Sequence, residues 1–394
     1  MLQCLKSIKV PTGYSSNISA KVSMKEQKLI GLKSHDCHVL MTQLLPVALR
    51  AWRETPIRRT ITKLCFFFNS ICSKVIDPET LPQLQTDIVE TMCELEMYLP
   101  PSFFDIMVHL SVHLVRQIEK CGPVYLRYMY PFERAMGVMK RLVKSRSRPE
   151  GNIVETYVAE EAIEFVSDYL EGVEPVGLPK SRYEGRLQGV GTIGVKSKSV
   201  TNELRQKAHM HVLQHSAVVT PFIAEHINEL RLENPRRPES WISEQHKLHF
   251  AQWFKRRVRS SIDNVSDMVR FLADGPGAKI GTYQGYEMNG FTWYTKKQDS
   301  KSTSQNSGVT VQGVFETTNV SEAYYGWIEE IWELDYFAFK VSVFKCKWID
   351  GESVKKDRDG FTVVDQNKTR MFDHDPFILA SLAKQVSTKV SIFI

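Results

Sequence analysis

The segment Tyr130-Pro-Phe-Glu-Arg-Ala-Met-Gly-Val-Met-Lys140 sets one carboxylate, Glu133, beside an arginine at the start of an apolar helix. A dense basic stretch follows: Lys140, Arg141, Lys144, Arg146 and Arg148. A carboxylate there could hold a divalent metal. Two-metal phosphoryl transfer, however, needs several carboxylates converging on ions about 3.5–4 Å apart, and one Glu does not supply them. The plainer reading makes Glu133 a helix-start acid favoured by the macrodipole and paired with Arg134 or Arg127. Among the cations, Lys140, Arg141 and Lys144 share one helical face, and Arg146 and Arg148 extend it into the turn at Pro149-Glu-Gly. Such a stripe could track phosphates, although a run of charge is more often a solvated face.

Upstream, Asp105, His109 and His113 recur every four residues, a spacing that puts all three on one face of one helix. His-x-x-x-His is a common zinc half-site, and His35 with His38 offers a second half. Leu110 rather than Glu follows His109, so the zinc-protease arrangement is absent. The alternative is a pair of hydrogen-bonded helix residues, and both readings stay open. A structural zinc would fix the helices around Glu133. No Ser/His/Asp triad or P-loop is present, and the glycine run from Gly185 to Gly194 lacks the preceding strand of a dinucleotide site. A second basic run, Lys255-Arg-Arg-Val-Arg259, could be a nuclear-localisation or phosphate-contact patch. Tyr324, Tyr325, Trp327, Trp332, Tyr336, Phe339, Phe344 and Trp348 could form a cage for methylated lysine, but aromatics in so small a domain are more often its core.

The elements that must position these residues follow from periodicity. Residues 1–34 are mixed and turn-rich, and residues 35–172 read as helical throughout. Val39, Leu40, Gln43, Leu44, Val47 and Ala48 give a 3.6-residue stripe, Leu64 to Ile71 another, and Leu84 to Tyr98 a third. Ser102 is the expected N-cap of a helix over Phe103 to Glu119. Residues 173–200, rich in Gly, Pro, Ser and Lys, read as a linker, and 201–273 as a smaller helical segment. From 280 to 388 the chain turns to β, with strands expected at Val309–Val314, Tyr324–Leu334, Phe339–Trp348 and Phe361–Asp365. The fold class is therefore α+β and multidomain: an all-α N-terminal half and a small, aromatic-rich, barrel-like C-terminal domain.

Composition bounds the rest. A chain of 394 residues with 42% hydrophobic content can build real cores. A formal charge of +6 permits nucleic-acid binding without demanding it. Seven cysteines, none in a Cys-x-x-Cys pair, point to reduced thiols inside a cell. No apolar run is long enough for a transmembrane helix, and the first residues lack the apolar stretch of a signal peptide. A soluble, intracellular protein with no membrane partner and no small-molecule substrate is expected.

Long ordered strings resemble the C-terminal part of plant CACTA-type (En/Spm-like) DNA transposases. They are Gly31 to Met41, Pro100 to Leu110 and Tyr130 to Gly151 in the helical half. In the β half they are Gln305 to Val309, Tyr324-Tyr-Gly326, Glu330 to Tyr336, Phe344 to Trp348 and Asp375 to Ser381. The resemblance implies a truncated RNase H-like core with a helical insertion, in which residues 1–34 are a remnant of the upstream core. It makes Glu133 the third acidic ligand of catalytic Mg2+, with two Asp partners expected before Met1, since residues 1–34 contain no Asp. The order of ligand pair, His-x-x-x-His and Glu is similar to the zinc-binding insertion of V(D)J-type recombinases, with a histidine pair here replacing a cysteine pair. DNA, other transposase copies and the nucleus are the implied partners and location. A chain lacking both Asp is expected to be inactive alone. The alternative is a non-enzymatic module, derived from a transposon, that binds protein or chromatin.

Overall fold

The computed structural model describes residues 1–14, 17–50, 52–53, 55–170, 189–260, 265–314, 321–357, 361–370 and 376–387. Contacts divide the chain into two units, one drawn from Leu40–Glu184 and one from Met1–Val39 with Gly185–Phe393. The division falls elsewhere than composition suggests, because the N-terminal segment joins the C-terminal unit.

The helical unit is built on three helices. Thr55 caps α1 (Pro56–Ile71) by accepting from the Arg58 amide, and Pro56 starts it without forfeiting a hydrogen bond. Phe67 and Ile71 of α1 bury against Leu81, Ile88, Met92 and Leu95 of α2 (Leu81–Glu96) and Val115 and Ile118 of α3 (Leu114–Cys121). Glu94 ties the first pair together, accepting from Thr60 at 2.8 Å and Lys63 at 2.6 Å. Gly122, at φ 77°, ends α3 in a conformation that side chains resist. The expected single helix from Phe103 is broken. Residues Pro101–Phe103 form a 3-10 turn, and Asp105, not Ser102, caps a short helix at Ile106–Leu110, accepting from the Met107 and Val108 amides. A second 3-10 turn at Ser111–His113 leads into α3. Then come α4 (Tyr130–Leu142) and α5 (Pro149–Tyr169), packed as a hairpin.

The second unit is a sheet with helices on one face. Its longer helices are α6 (Asn202–Gln214), α7 (Thr220–Glu233), α8 (Glu239–Ser260) and α9 (Asp267–Asp274). Its main strands are β1 (Val190–Ile193), β2 (Lys196–Ser199), β3 (Lys279–Tyr283), β4 (Gly285–Met288), β5 (Phe291–Tyr294), β6 (Gly308–Val314), β7 (Ser321–Asp335), β8 (Lys340–Ile349), β9 (Thr369–Arg370), β10 (Phe377–Leu379) and β11 (Lys384–Gln385), beside two short ribbons that pair Val22–Ser23 with Lys28–Leu29 and Val354–Lys356 with Thr362–Val364. The 15-residue β7 organises them: its first half pairs with β6, its last turns to β3, and β8 runs antiparallel along most of its length. The main path is β9-β8-β7-β3-β2, with β1-β4-β5 a separate small sheet.

The expected barrel is corrected here: among the described residues the sheet is open. The strand alternation along β7 explains why two layers suffice. Trp332, Leu334 and then Tyr336 face the helices, packing with Phe250, Phe254 and Leu272, while Ile331 faces a second core of Tyr286, Trp293, Phe344 and Trp348, and a register shift opposite Lys345 and Cys346 brings Ile328 to that same face. The residues expected as a separate helical segment thus share one core with the sheet. The aromatic residues serve as core rather than cage, and Trp327 is buried beneath the Lys296 ammonium, 3.4 Å from its ring centre.

The expected linker is also corrected in its described part. Residues 171–188 lie outside the described residues, but 190–199 form β1 and β2, each paired to a neighbour. The N-terminal segment buries Leu5, Ile8 and Val10 and is stitched to the loop before β6. Lys9 donates to the Asp299 and Ser302 carbonyls, and the Val10 carbonyl accepts from the Gln305 amide. Fully buried Asn306 is the centre of this clasp: its Oδ1 accepts from the Thr12 amide at 2.8 Å. Asp299 accepts from the Asn306 and Ser307 amides, each at 2.9 Å. Burial pushes the Asp299 carboxyl up against the opposing pull of those amides. The string Gln305-Asn-Ser-Gly is therefore a structural fastening.

Candidate functional site

Glu133 stands in the first turn of α4, where its carboxylate faces the positive end of the helix dipole. It is exposed, and among the described residues its carboxylate makes no ion pair with Arg127, Arg134 or any other side chain. Lys140 is seven residues on, two turns along the same face and roughly 10 Å away by helix rise. Gly137 lies between them with open space around it.

The basic stretch continues without neutralisation. Lys140 and Arg141 occupy the last turn of α4, Lys144 and Arg146 the connection to α5, and Arg148 the residue before Pro149. All five are exposed, and none forms an ion pair among the described residues. The structure therefore gathers five free cations at one end of the α4–α5 hairpin, with an unpaired carboxylate two turns away. Such a surface attracts polyanions by counterion release, and exposed Glu150 in the first turn of α5 is the acid nearest in sequence to the cations.

The metal expectations fare differently. His109 and His113 do meet, with Nε2 atoms 3.2 Å apart, so one ring donates to the other. That spacing is close to the separation of about 3.3–3.4 Å between two imidazole ligands of tetrahedral zinc. Asp105 is committed to capping, and no third ligand follows on that face. His35 and His38 belong to the other unit. There the His35 Nε2 donates to the Tyr14 carbonyl at 3.0 Å, which puts the ring proton on Nε2 and leaves the lone pair on Nδ1. Burial and then His35 hold His38 below the ordinary histidine range. Among the described residues no group of three or more His, Cys, Asp or Glu is placed to hold a metal ion. His109 and His113 are thus one pair within their own unit, and Glu133 supplies one of the several carboxylates that a two-magnesium site needs.

A consequence for the exposed histidine pair is small. His109→Ala and His113→Ala should each change stability by less than about 0.5 kcal/mol, as for ordinary surface substitutions. Thermal unfolding with and without EDTA should be superimposable. A melting temperature lowered by EDTA in the native protein but not in either variant would contradict this.

Residues 71–183 match a family described as Domain of unknown function (DUF4218), and residues 332–388 match Domain of unknown function (DUF4216). Both domains are commonly found in plant transposases. No curated protein and no solved structure matches the chain. The first span holds His109, His113, Glu133 and all five cations, and His35 and His38 lie outside both. No helix among the described residues is long and apolar enough to cross a membrane.

Proposed function

We propose that this chain is the DNA-associated C-terminal region of a CACTA-type transposase, inactive in strand cleavage alone and acting in the nucleus. The observation that carries the reading is the row of five exposed, unpaired cations beside the unpaired Glu133, within the span similar to a transposase-associated domain. The cations track backbone phosphates without reading sequence. Glu133 is the residue that would give one carboxylate to catalytic magnesium, which when bound stabilises charge on the phosphoryl oxygens.

The test is duplex binding by the full chain, read by fluorescence anisotropy. At physiological salt a dissociation constant on the order of 10⁻⁶ to 10⁻⁴ M, indifferent to sequence, is expected. No strand cleavage should occur with magnesium. Absence of binding even at about 50 mM salt would overturn the reading.

A specific observation favours a second reading, an interaction module. In α4 and α5 only Leu142 and Ser167 are buried, while Phe132 is 60%, Phe165 73% and Tyr169 80% exposed. Exposed apolar residues gathered on one hairpin can form an association surface, and a second copy of the chain is the occupant this reading names. Self-association abolished by Phe165→Glu, with DNA affinity unchanged, is its expected result. A monomer at every concentration in light scattering would exclude it.

A further inference from the structure

The C-terminal unit holds a second cationic site, built from three separate elements. A cleft of about 190 Å³ opens between the N-terminal half of α6, α8 and the turn after α9. Arg205 and His209 reach it from α6, Lys255 from α8, and the Gly275–Pro276 backbone closes one side. The volume is below the roughly 300 Å³ at which pockets for cofactors and drug-sized ligands begin. It suits a small ion.

The chemistry of the lining fixes the sign of that ion. His209 is 7% exposed, and its Nδ1 lies 2.9 Å from the Tyr336 hydroxyl. Tyr336 is fully buried, and this is its one side-chain hydrogen bond among the described residues. A phenol that accepted here would leave its own proton buried without a partner, so Tyr336 donates and Nδ1 accepts. The ring proton is thereby placed on Nε2. That nitrogen has no hydrogen-bond partner among the described residues, and it faces Gly275 across the cleft. An added Cβ at Gly275 would stand 3.5 Å from it. Burial first, then Arg205 and Lys255, lower the His209 pKa to about 4, so the ring is a neutral donor near pH 7.

The two cations add to this. Among the described residues Arg205 is held by neutral acceptors, the Pro276 carbonyl at 3.2 Å and Asn202 Oδ1 at 2.8 Å. Lys255 donates to the Asp274 carbonyl at 3.3 Å, while the Asp274 carboxylate is nearer to Arg259, at 2.8 Å, than to Lys255, at 3.5 Å. The cleft therefore presents an N–H donor, a guanidinium and an ammonium, with its one carboxylate already shared. A metal ion would find no ligand nitrogen there, because Nε2 carries the proton.

We propose that Arg205, His209 and Lys255 form a binding site for a single phosphate group. The group is a free phosphate ion or one phosphate of a nucleic-acid chain, and the site stands independently of the hairpin cations.

The probe is sodium phosphate, titrated against sodium chloride at matched ionic strength, with the melting temperature and the His209 side-chain ¹⁵N resonance as readouts. Phosphate should raise the melting temperature saturably and move the His209 resonance. Arg205→Gln and Lys255→Gln should each weaken the effect about tenfold, the usual worth of one charged hydrogen bond. An oligonucleotide that moves the same resonance at lower concentration than phosphate assigns the site to nucleic acid; one that does not assigns it to the free ion. A native protein whose melting temperature follows ionic strength alone, with the His209 resonance unmoved, overturns the proposal. So does a phosphate effect undiminished in the folded double variant.

Discussion

Replacing Lys140, Arg141, Lys144, Arg146 and Arg148 together by Gln should lower affinity for duplex DNA on the order of 10³-fold near 0.2 M salt, and by more at lower salt. The magnitude follows from five phosphates neutralised, each worth a slope of about −0.9 in the logarithm of salt, counted from about 1 M, where the electrostatic contribution vanishes. The fold should be untouched. None of the five is buried or engaged in an ion pair among the described residues, so the far-ultraviolet circular dichroism and melting temperature of the variant should match the native protein. Slight fraying at the end of α4 is the only structural cost expected, since Lys140 and Arg141 complement the dipole there. Equal affinity in native and variant proteins would remove the hairpin from DNA binding.

Gly326→Ala should destabilise the C-terminal unit by about 3 kcal/mol, a value typical of an added methyl that a packed core cannot accommodate. Gly326 lies in the long central strand β7 opposite Trp348 of β8. An added Cβ would meet the Lys347 carbonyl at 2.5 Å and the Trp348 ring at 3.0 Å. The first obstacle is backbone in the middle of a ladder, which cannot swing aside as a flexible side chain would. The melting temperature should fall by roughly 6–12 °C. The same substitution at Gly137 has the opposite sign. There the backbone is helical and the space is open, so alanine should add about 0.5–1 kcal/mol. Equal effects at the two positions, read by thermal unfolding, would contradict the packing account. The Tyr-Tyr-Gly string thus has a steric reason.

The contrast between these glycines shows what sequence could carry. The apolar periodicity of Leu64 to Ile71 and of Leu84 to Tyr98 revealed α1 and α2, because a helix that packs on one side repeats its apolar residues every 3.6 positions. The β-branched and aromatic runs revealed β6, β7 and β8 for the matching reason. What each face packs against has no local signature. Phe250 and Phe254 announce an apolar stripe on α8, but nothing in their spacing says that Trp332 of β7 covers it. Strand β2, Lys-Ser-Lys-Ser, reads as linker because its pairing comes from β3, whose main chain supplies the hydrogen bonds. At Asp105 the capping geometry overrode the helical spacing that grouped it with His109 and His113.

The hairpin cations were legible because they are consecutive in sequence and need no long-range contact. The phosphate cleft was not: Arg205, Lys255 and Tyr336 come from three distant segments. The one local hint was the four-residue spacing of Arg205 and His209, which puts both on one face of α6.

The most direct test of the DNA-binding account is the salt dependence of duplex affinity. With five phosphates engaged, the logarithm of the association constant should fall with the logarithm of salt at a slope of about −4.5, and each single Gln substitution should remove about 0.9 from it. The five-site variant should show a slope near zero, or about −0.9 if the Arg205–Lys255 cleft takes one phosphate of the duplex. A native slope that stays the same after all five substitutions would contradict the account.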